Sequence, residues 1–257
     1  MKFTDIIELL RRPVSGGMGA PASVIALNVA VLIAVRLWGV FDSSGALLDA
    51  LRLVPDWPFI AAHPWTLLTS SFTQVEPVHL AMNMVILWFF ARMLGPMRRP
   101  VPFVTLYAAG AVAGAVCYTL SGATRPTIGA SAAVLAVAMA ATVWMPARRV
   151  TPGNLFSLRL WWIMAALMLT TDFLSLPAGV EVAHWAHLGG YIAGAVIAGC
   201  FRLRVRVAGN AAGGAVDDDV RLDRLTAKVR TSGYESLTPD ERRALFSLSV
   251  TSKPAKK

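Results

Sequence analysis

Four polar side chains interrupt long apolar segments of this 257-residue sequence, and their chemistry suits acyl transfer. They are His79 and Asn83 in one segment, Ser131 in a second and His187 in a third. A neutral imidazole can take the proton of a serine hydroxyl, which makes the oxygen a nucleophile, and later return it to a leaving amine. Imidazole and amide N–H groups can stabilise an oxyanion. The residue types therefore suit a serine hydrolase, provided that the fold brings them together.

Each of these residues also has a purely structural explanation. Serine is common in membrane helices because its hydroxyl bonds to its own backbone, and an asparagine such as Asn83 can hold two helices together. Polar side chains within a bilayer are costly, however, so those that persist usually pair or function. The depth at which these four residues are expected to lie in the membrane favours a functional role.

Counted along the chain, the polar residues fall at one level. Three of them lie 15 positions before the proline or arginine at the inner end of their segment: Ser131 before Pro146, His187 before Arg202 and Asn83 before Arg98. At 1.5 Å per residue they lie about 22 Å above the inner boundary and about 8 Å below the outer one. His79 is one turn above Asn83. No carboxylate falls on the same level within the helices, which predicts a Ser131–His187 dyad rather than a triad.

Small residues predict that the serine-bearing and histidine-bearing segments approach each other closely. Gly190 and Gly194 have GxxxG spacing, and Ala132, Ala136 and Ala140 form one stripe on the other segment. Faces of this kind let two helix backbones pack closely in a membrane. We therefore expect the serine and histidine side chains to come within hydrogen-bonding distance.

The composition indicates an all-α polytopic membrane protein. Hydrophobic residues make up 56 % of the chain and charged residues only 15 %, against about a quarter in a soluble domain. The net charge of +9 comes from short basic clusters between apolar blocks, which is typical of cytoplasmic loops and argues against nucleic-acid binding. Six segments are long enough to cross a bilayer: 22–41, 78–95, 101–122, 129–146, 155–176 and 183–202. The basic clusters alternate with loops poor in lysine and arginine, so both termini are predicted to be cytoplasmic.

Changes in composition divide the chain into four parts. They are a cytoplasmic amphipathic segment (1–21), a six-helix membrane domain (22–202), a Gly/Ala/Asp linker (203–216) and a cytoplasmic tail (217–257). The tail is expected to form a helical hairpin, because Gly233 would stop one helix and Thr238 with Glu241 would cap the next. Such a hairpin is too small for a core of its own, which suggests that it docks on another surface.

Three motifs, in this order, resemble those of the rhomboid family of intramembrane serine proteases. "HLAMN" corresponds to HxxxN on the second helix, "GAS" to GxS on the fourth and "AHLGGYIAG" to AHxxGxxxG on the sixth, within a match over about 22–202. The resemblance implies a six-transmembrane-helix rhomboid-like bundle. It also implies that Ser131 is the nucleophile, that His187 is the general base, and that His79 and Asn83 stabilise the oxyanion.

The same resemblance implies what the protein acts on and where it resides. Family members cleave single-span transmembrane proteins within or beside the membrane helix, usually where small or helix-destabilising residues loosen it. No metal or organic cofactor is implied, and the expected partners are such substrates and the lipid bilayer. The tail is similar to a short cytoplasmic module of some bacterial rhomboids, so the implied location is a bacterial inner membrane.

Three positions depart from the family pattern. Ala132 follows the serine where glycine is usual, which adds a methyl group near the nucleophile's turn but keeps the small size that close packing needs. Gln74 stands where many members have a histidine, which keeps a donor but loses a titratable group. Thr66 follows Trp65 where an arginine is common, which removes a charge able to anchor the loop. None of these changes removes a residue of the dyad.

Two other functions share some of these features. A non-proteolytic rhomboid-like protein would bind membrane client helices without cutting them, but such proteins typically lack the serine or the histidine. A small transporter or channel usually has broken helices or paired charges near the midplane, whereas the polar cluster here is off-centre. Among the other polar residues, Asp172 either pairs or faces water, and His184 is expected to be a wetted interfacial residue rather than a second base.

Overall fold

A computed structural model describes residues 18–41, 43–146, 148–150, 157–173 and 183–251 of the chain. The predicted N-terminal amphipathic segment lies outside these residues up to position 17, as does the end of the predicted fifth crossing segment, 174–176. The chain divides into two compact units, Met1–Cys200 and Phe201–Lys257.

The described residues are mostly helical, as expected for an all-α protein. In chain order the α-helices are α1 (Gly19–Phe41), α2 (Ala46–Leu51), α3 (Trp57–Ala62), α4 (Thr66–Thr69), α5 (Pro77–Ala91), α6 (Pro100–Leu120), α7 (Ser131–Trp144), α8 (Leu160–Met168), α9 (His184–Ser232) and α10 (Pro239–Thr251). Short 3₁₀ turns occupy Gly95–Arg98 and Tyr234–Ser236, and a π turn, Leu169–Phe173, continues α8. β1 (Arg149–Val150) and β2 (Leu158–Arg159) form a small antiparallel ladder. This architecture confirms a helical bundle with several apolar helices.

Among the described residues, three helices are long and apolar enough to cross a membrane: α1, α6 and the first part of α9, His184–Val205. Three shorter apolar helices, α5, α7 and α8 with its π turn, coincide with the other predicted crossing segments. Helix α7 has 14 residues, so it extends about 21 Å and is shorter than a hydrocarbon core of about 30 Å. It begins at Ser131, after a segment that is not helical, and ends two residues before Pro146. Six crossings therefore remain a prediction.

Helices α7 and α9 pack with their backbones in direct contact. A Cβ atom on Gly190 would lie 2.2 Å from the carbonyl oxygen of Ala132, and one on Gly194 would lie 2.2 Å from that of Ala136. Side-chain carbons do not approach backbone atoms this closely, so only glycine fits at either position. Ala132 and Ala136 are themselves buried. The predicted contact between the glycine pair and the alanine stripe is confirmed.

The loop between α1 and α5 is folded and hydrogen-bonded. The Trp65 indole N–H donates to the Ala50 carbonyl at 3.0 Å, and the buried Thr66 hydroxyl donates to a carbonyl of the preceding turn at 2.8 Å. Leu53 is 1 % exposed and pairs with Thr127 through two backbone hydrogen bonds of 3.0 and 2.9 Å. The loop is thus anchored with threonine at the position where an arginine is common. It also holds the chain segment that leads into α7.

The second unit contains the predicted helical hairpin. One helix ends before Gly233, which has φ +80°, and α10 begins at Pro239. The capping box is present, because Thr238 N–H donates to Glu241 Oε2 at 2.8 Å and Glu241 N–H donates to Thr238 Oγ1 at 3.2 Å. Lys228 Nζ donates to Glu241 Oε2 at 2.8 Å, and this hydrogen bond holds the pKa of Glu241 below its ordinary value.

Residues 203–216, predicted as a linker, are helical and continue α9. The prediction rested on the glycines of this segment, each of which costs a helix about 1 kcal/mol relative to alanine. Helix formation is cooperative, and the alanines of this segment, with the leucine and arginines that precede its first glycine, favour propagation once neighbouring turns have formed. The glycine-rich composition therefore does not break the helix.

Gly190→Ala is expected to destabilise the first unit, whereas Gly199→Ala is not. The methyl added at position 190 would clash with backbone atoms of α7, and overpacking of this kind costs about 1–3 kcal/mol. At Gly199 a Cβ atom would meet nothing within 4 Å, and alanine is the better helix former. Thermal unfolding of both variants in one detergent, followed by circular dichroism, measures the difference. Equal melting temperatures would contradict the direct backbone contact.

Candidate active site

Ser131 and His187 form a hydrogen bond across the contact between α7 and α9. The Ser131 hydroxyl oxygen lies 2.9 Å from His187 Nε2. Ser131 is the first residue of α7, and His187 lies in the first turn of α9, three residues before Gly190. The backbone contact at Gly190 thus brings the two helices close enough for this bond.

A constrained turn places the serine at the start of its helix. Gly129 has φ +137°, a conformation that residues with side chains rarely adopt, and its N–H donates to the Ser70 carbonyl at 2.9 Å. The backbone before Ser131 is not helical, so the first N–H groups of α7 have no acceptor within the helix. These N–H groups, at the positive end of the helix dipole, are suited to stabilise negative charge next to the serine.

A carboxylate reaches the histidine, so the prediction that none lies at this level is wrong. Asp172 Oδ1 lies 2.7 Å from His187 Nδ1, and the Asp172 side chain is 14 % exposed. Asp172 lies four positions before the outer end of the predicted fifth segment, about 6 Å below that boundary, so a regular count already places it near the level of Ser131. It belongs to the π turn after α8. Ser131, His187 and Asp172 therefore form a serine–histidine–aspartate arrangement. Of the two possibilities for Asp172, pairing or facing water, the structure shows pairing.

His79 and Asn83 line the same cavity as Ser131 and His187, and this cavity has a volume of about 610 Å³. The Asn83 amide donates to the His79 carbonyl at 3.1 Å and, through a longer bond of 3.4 Å, to Gln74 Oε1. Gln74, which replaces the common histidine, is 2 % exposed and lies behind Asn83 as its acceptor. The structure therefore brings all four predicted site residues to one cavity.

The methyl group of Ala132 packs onto a glycine of a neighbouring helix. A Cβ atom on Gly114 of α6 would lie 2.5 Å from the Cβ of Ala132, so the missing side chain at position 114 leaves the space that the methyl occupies. Ala132 is 6 % exposed. The departure from the usual glycine is thus accommodated by α6.

His184 also contacts the carboxylate. Its Nδ1 lies 3.2 Å from Asp172 Oδ1, and its side chain is 32 % exposed, so this histidine is both bonded and partly exposed. Within the described ranges, the ligand atoms of Asp172, His184 and His187 lie within 4.8 Å of one another, close enough to hold a metal ion. Two imidazoles and a carboxylate are ligands that zinc accepts. In the geometry that these residues adopt, both imidazoles bond directly to the carboxylate.

The known proteins that this chain is similar to all belong to one family. Residues 61–204, more than half of the chain, match the family described as the Rhomboid domain. The chain is similar to Rhomboid-like protein 17, chloroplastic, of Arabidopsis thaliana, with 25 % identity over 213 residues, which cover 75 % of this chain and 62 % of that protein.

Mitochondrial proteins are also similar. The presenilin-associated rhomboid-like protein, mitochondrial, of Mus musculus is 26 % identical over 194 residues, which cover 70 % of this chain and 48 % of that protein. RHOMBOID-like protein 12, mitochondrial, of Arabidopsis thaliana is 24 % identical over 192 residues, which cover 67 % of this chain and 56 % of that protein. The chain thus spans between about half and three fifths of the length of these relatives.

Ala132→Gly is expected to lower stability without activating the serine. The substitution removes a buried methyl from the contact with Gly114 and places glycine inside a helix, which together cost about 1–2 kcal/mol. Because the methyl lies against α6, the rate at which a fluorophosphonate labels Ser131 is expected to stay close to that of the unchanged protein. A large rise in the labelling rate would show instead that the methyl hinders the nucleophile.

Proposed function

The chain belongs to the rhomboid family, and from that premise we propose that it is an intramembrane serine endopeptidase. It hydrolyses peptide bonds within or next to the transmembrane helices of single-span membrane proteins. The observation that carries this proposal is the bond of 2.9 Å between the Ser131 hydroxyl and His187 Nε2 at the wall of a cavity. A family member that only bound client helices would have no need of this bond.

The first half of the reaction acylates the serine. His187 Nε2 takes the proton of the Ser131 hydroxyl as the oxygen attacks the scissile carbonyl carbon, and the carbonyl oxygen becomes an oxyanion. The free N–H groups at the start of α7 donate to that oxyanion, together with the side chains of His79 and Asn83. The tetrahedral intermediate collapses as the scissile C–N bond breaks, and the protonated His187 gives its proton to the leaving amine.

The second half restores the enzyme. A water molecule attacks the ester carbonyl and gives its proton to His187, and the same donors stabilise the second oxyanion. The intermediate collapses to the new carboxyl terminus, and His187 returns the proton to Ser131. Each proton taken up is returned, so the residues of this chain complete the cycle.

The cavity supplies what this reaction needs inside a membrane. Non-helical backbone at bilayer depth is tolerated only where it is buried in protein or lines a water-filled space, and the segment before Ser131 lines this cavity. A volume of about 610 Å³ holds a short stretch of unwound peptide and water. A substrate helix must therefore unwind locally to reach Ser131, which favours segments with small or helix-destabilising residues.

The proposed location is a bacterial inner membrane with both termini in the cytoplasm. The basic clusters that flank the apolar segments support this orientation. The bacterial assignment rests on the likeness of the C-terminal tail to a module of some bacterial rhomboids, whereas the names of the relatives above place those proteins in chloroplasts and mitochondria.

Ser131→Ala and His187→Ala are each expected to abolish cleavage of a model single-span substrate by the purified protein in detergent. Loss of either nucleophile or base lowers turnover by roughly 10³-fold or more in serine proteases. Ser121→Ala is the matched control, because its hydroxyl only caps the end of α6 by donating to the Tyr118 carbonyl at 2.7 Å. Cleavage that persists in Ser131→Ala would overturn the mechanism.

A fluorophosphonate separates a protease from a protein that only binds clients. The probe reacts with an activated serine, so the unchanged protein is expected to be labelled at Ser131 and His187→Ala is not. Mass spectrometry of the labelled peptide identifies the site. Failure of the folded protein to react would favour client binding without cleavage.

The cleavage rate is expected to fall as the pH is lowered. Only a neutral His187 can accept the serine proton, so acid that protonates its imidazole removes the base. The dependence of kcat/KM on pH measures this acid limb. A profile that stays flat as the pH is lowered would count against His187 as the base.

A further inference from the structure

Asp172 is a mostly buried carboxylate with donors on both of its oxygens. Oδ1 lies 2.7 Å from His187 Nδ1 and 3.2 Å from His184 Nδ1. Oδ2 accepts from the Tyr191 hydroxyl at 2.7 Å and from the Thr171 hydroxyl at 3.1 Å. A charged side chain within a membrane helix is costly unless it is paired, and such residues usually mark functional sites.

The contacts of His187 determine which of its nitrogens carries the proton. A carboxylate only accepts hydrogen bonds, so the nitrogen facing Asp172, Nδ1, must be the protonated one. The lone pair is then on Nε2, which faces the Ser131 hydroxyl at 2.9 Å. This is the tautomer that a base for Ser131 needs.

We propose that Asp172 is a positioning residue for the reaction, acting through His187; this inference rests on the proposed roles of Ser131 and His187. It has two effects. The carboxylate holds the imidazole in the tautomer and orientation that accept the serine proton, and its charge stabilises the imidazolium that forms when the proton arrives. The site then works as a triad, where the family motifs alone imply a dyad.

A purely structural role for Asp172 would have a different signature. The bond from Tyr191 to Oδ2 already ties the π turn to α9, so a residue that only holds the two helices together needs no contact with His187. Among the described residues, the other titratable groups around His187 are His184 and Tyr191 on its own helix and His79 on α5, which interacts with it electrostatically. None of these replaces the negative charge of Asp172 at Nδ1.

The test compares Asp172→Asn with Tyr191→Phe. The asparagine keeps the size of the side chain but removes the charge, and the phenylalanine removes one equally short bond to the same carboxylate while leaving His187 bonded to it. We expect Asp172→Asn to lower kcat by roughly 10²-fold or more with little change in KM, and Tyr191→Phe to lower kcat by less than about tenfold.

Asp172→Ala gives a second measurement that does not depend on the asparagine variant. Removal of the side chain leaves space for a small carboxylate beside His187 Nδ1, so added formate is expected to restore part of the rate at which a fluorophosphonate labels Ser131. A residue that only holds helices together would not be replaced by a free anion. Asp49→Asn, which neutralises an exposed carboxylate paired with Arg52, controls for loss of charge alone.

The outcomes separate this inference from the proposed function. If Asp172→Asn has the kcat of the unchanged protein, or Asp172→Ala labels at the full rate without formate, the inference is overturned while proteolysis stands. If the unchanged protein is labelled but cuts no substrate, proteolysis fails, and the labelling rates of the Asp172 variants still decide the inference. A parallel loss of melting temperature and rate in Asp172→Asn and Tyr191→Phe, without rescue by formate, would assign Asp172 a structural role only.

Discussion

The direct contact between the backbones of α7 and α9 is the constraint on which the site depends. Gly190 and Gly194 have no side chains, so α9 reaches carbonyl oxygens of α7 that any other residue would hold away. The hydrogen bond of 2.9 Å between Ser131 and His187 exists because the two helices meet at this distance. A methyl group at either glycine would separate the helices by more than such a bond tolerates. The bond between Ser131 and His187 therefore depends on the absence of a side chain at Gly190, three residues after the histidine.

A low-dielectric surrounding explains why the polar groups form one connected chain. Ser131, His187, Asp172 and Tyr191 are linked by successive hydrogen bonds of 2.9, 2.7 and 2.7 Å. An unpaired polar group in such a place is costly, and each bond that does form is stronger than it would be in water. The same condition that restricts polar residues in a membrane thus favours a chain in which each of these groups has a hydrogen-bond partner.

The departures from the family pattern are each absorbed by a local contact. The methyl of Ala132 occupies space left by Gly114, and the amide of Gln74 accepts from Asn83. Thr66 is buried and bonded to a neighbouring carbonyl, which anchors the loop next to Trp65. These three residues differ from the usual family motifs, and the packing around each of them shows how this chain accommodates the difference.

The sequence by itself determined the helical membrane class, the close packing of α7 with α9, and which serine and histidine meet at that contact, Ser131 and His187. It could do so because the rise per residue of a helix is constant, so residues at equal distances from the membrane boundary share a depth. Only the tertiary structure decided that Asp172 reaches His187 and that Leu53 supports the segment before the serine. Spacing places Asp172 near the level of Ser131 but does not give the direction of its side chain, and the backbone bonds between Leu53 and Thr127 follow no local period. Spacing predicts how deep in the membrane a residue of one helix lies. The direction of its side chain and its contacts with other elements depend on the whole fold.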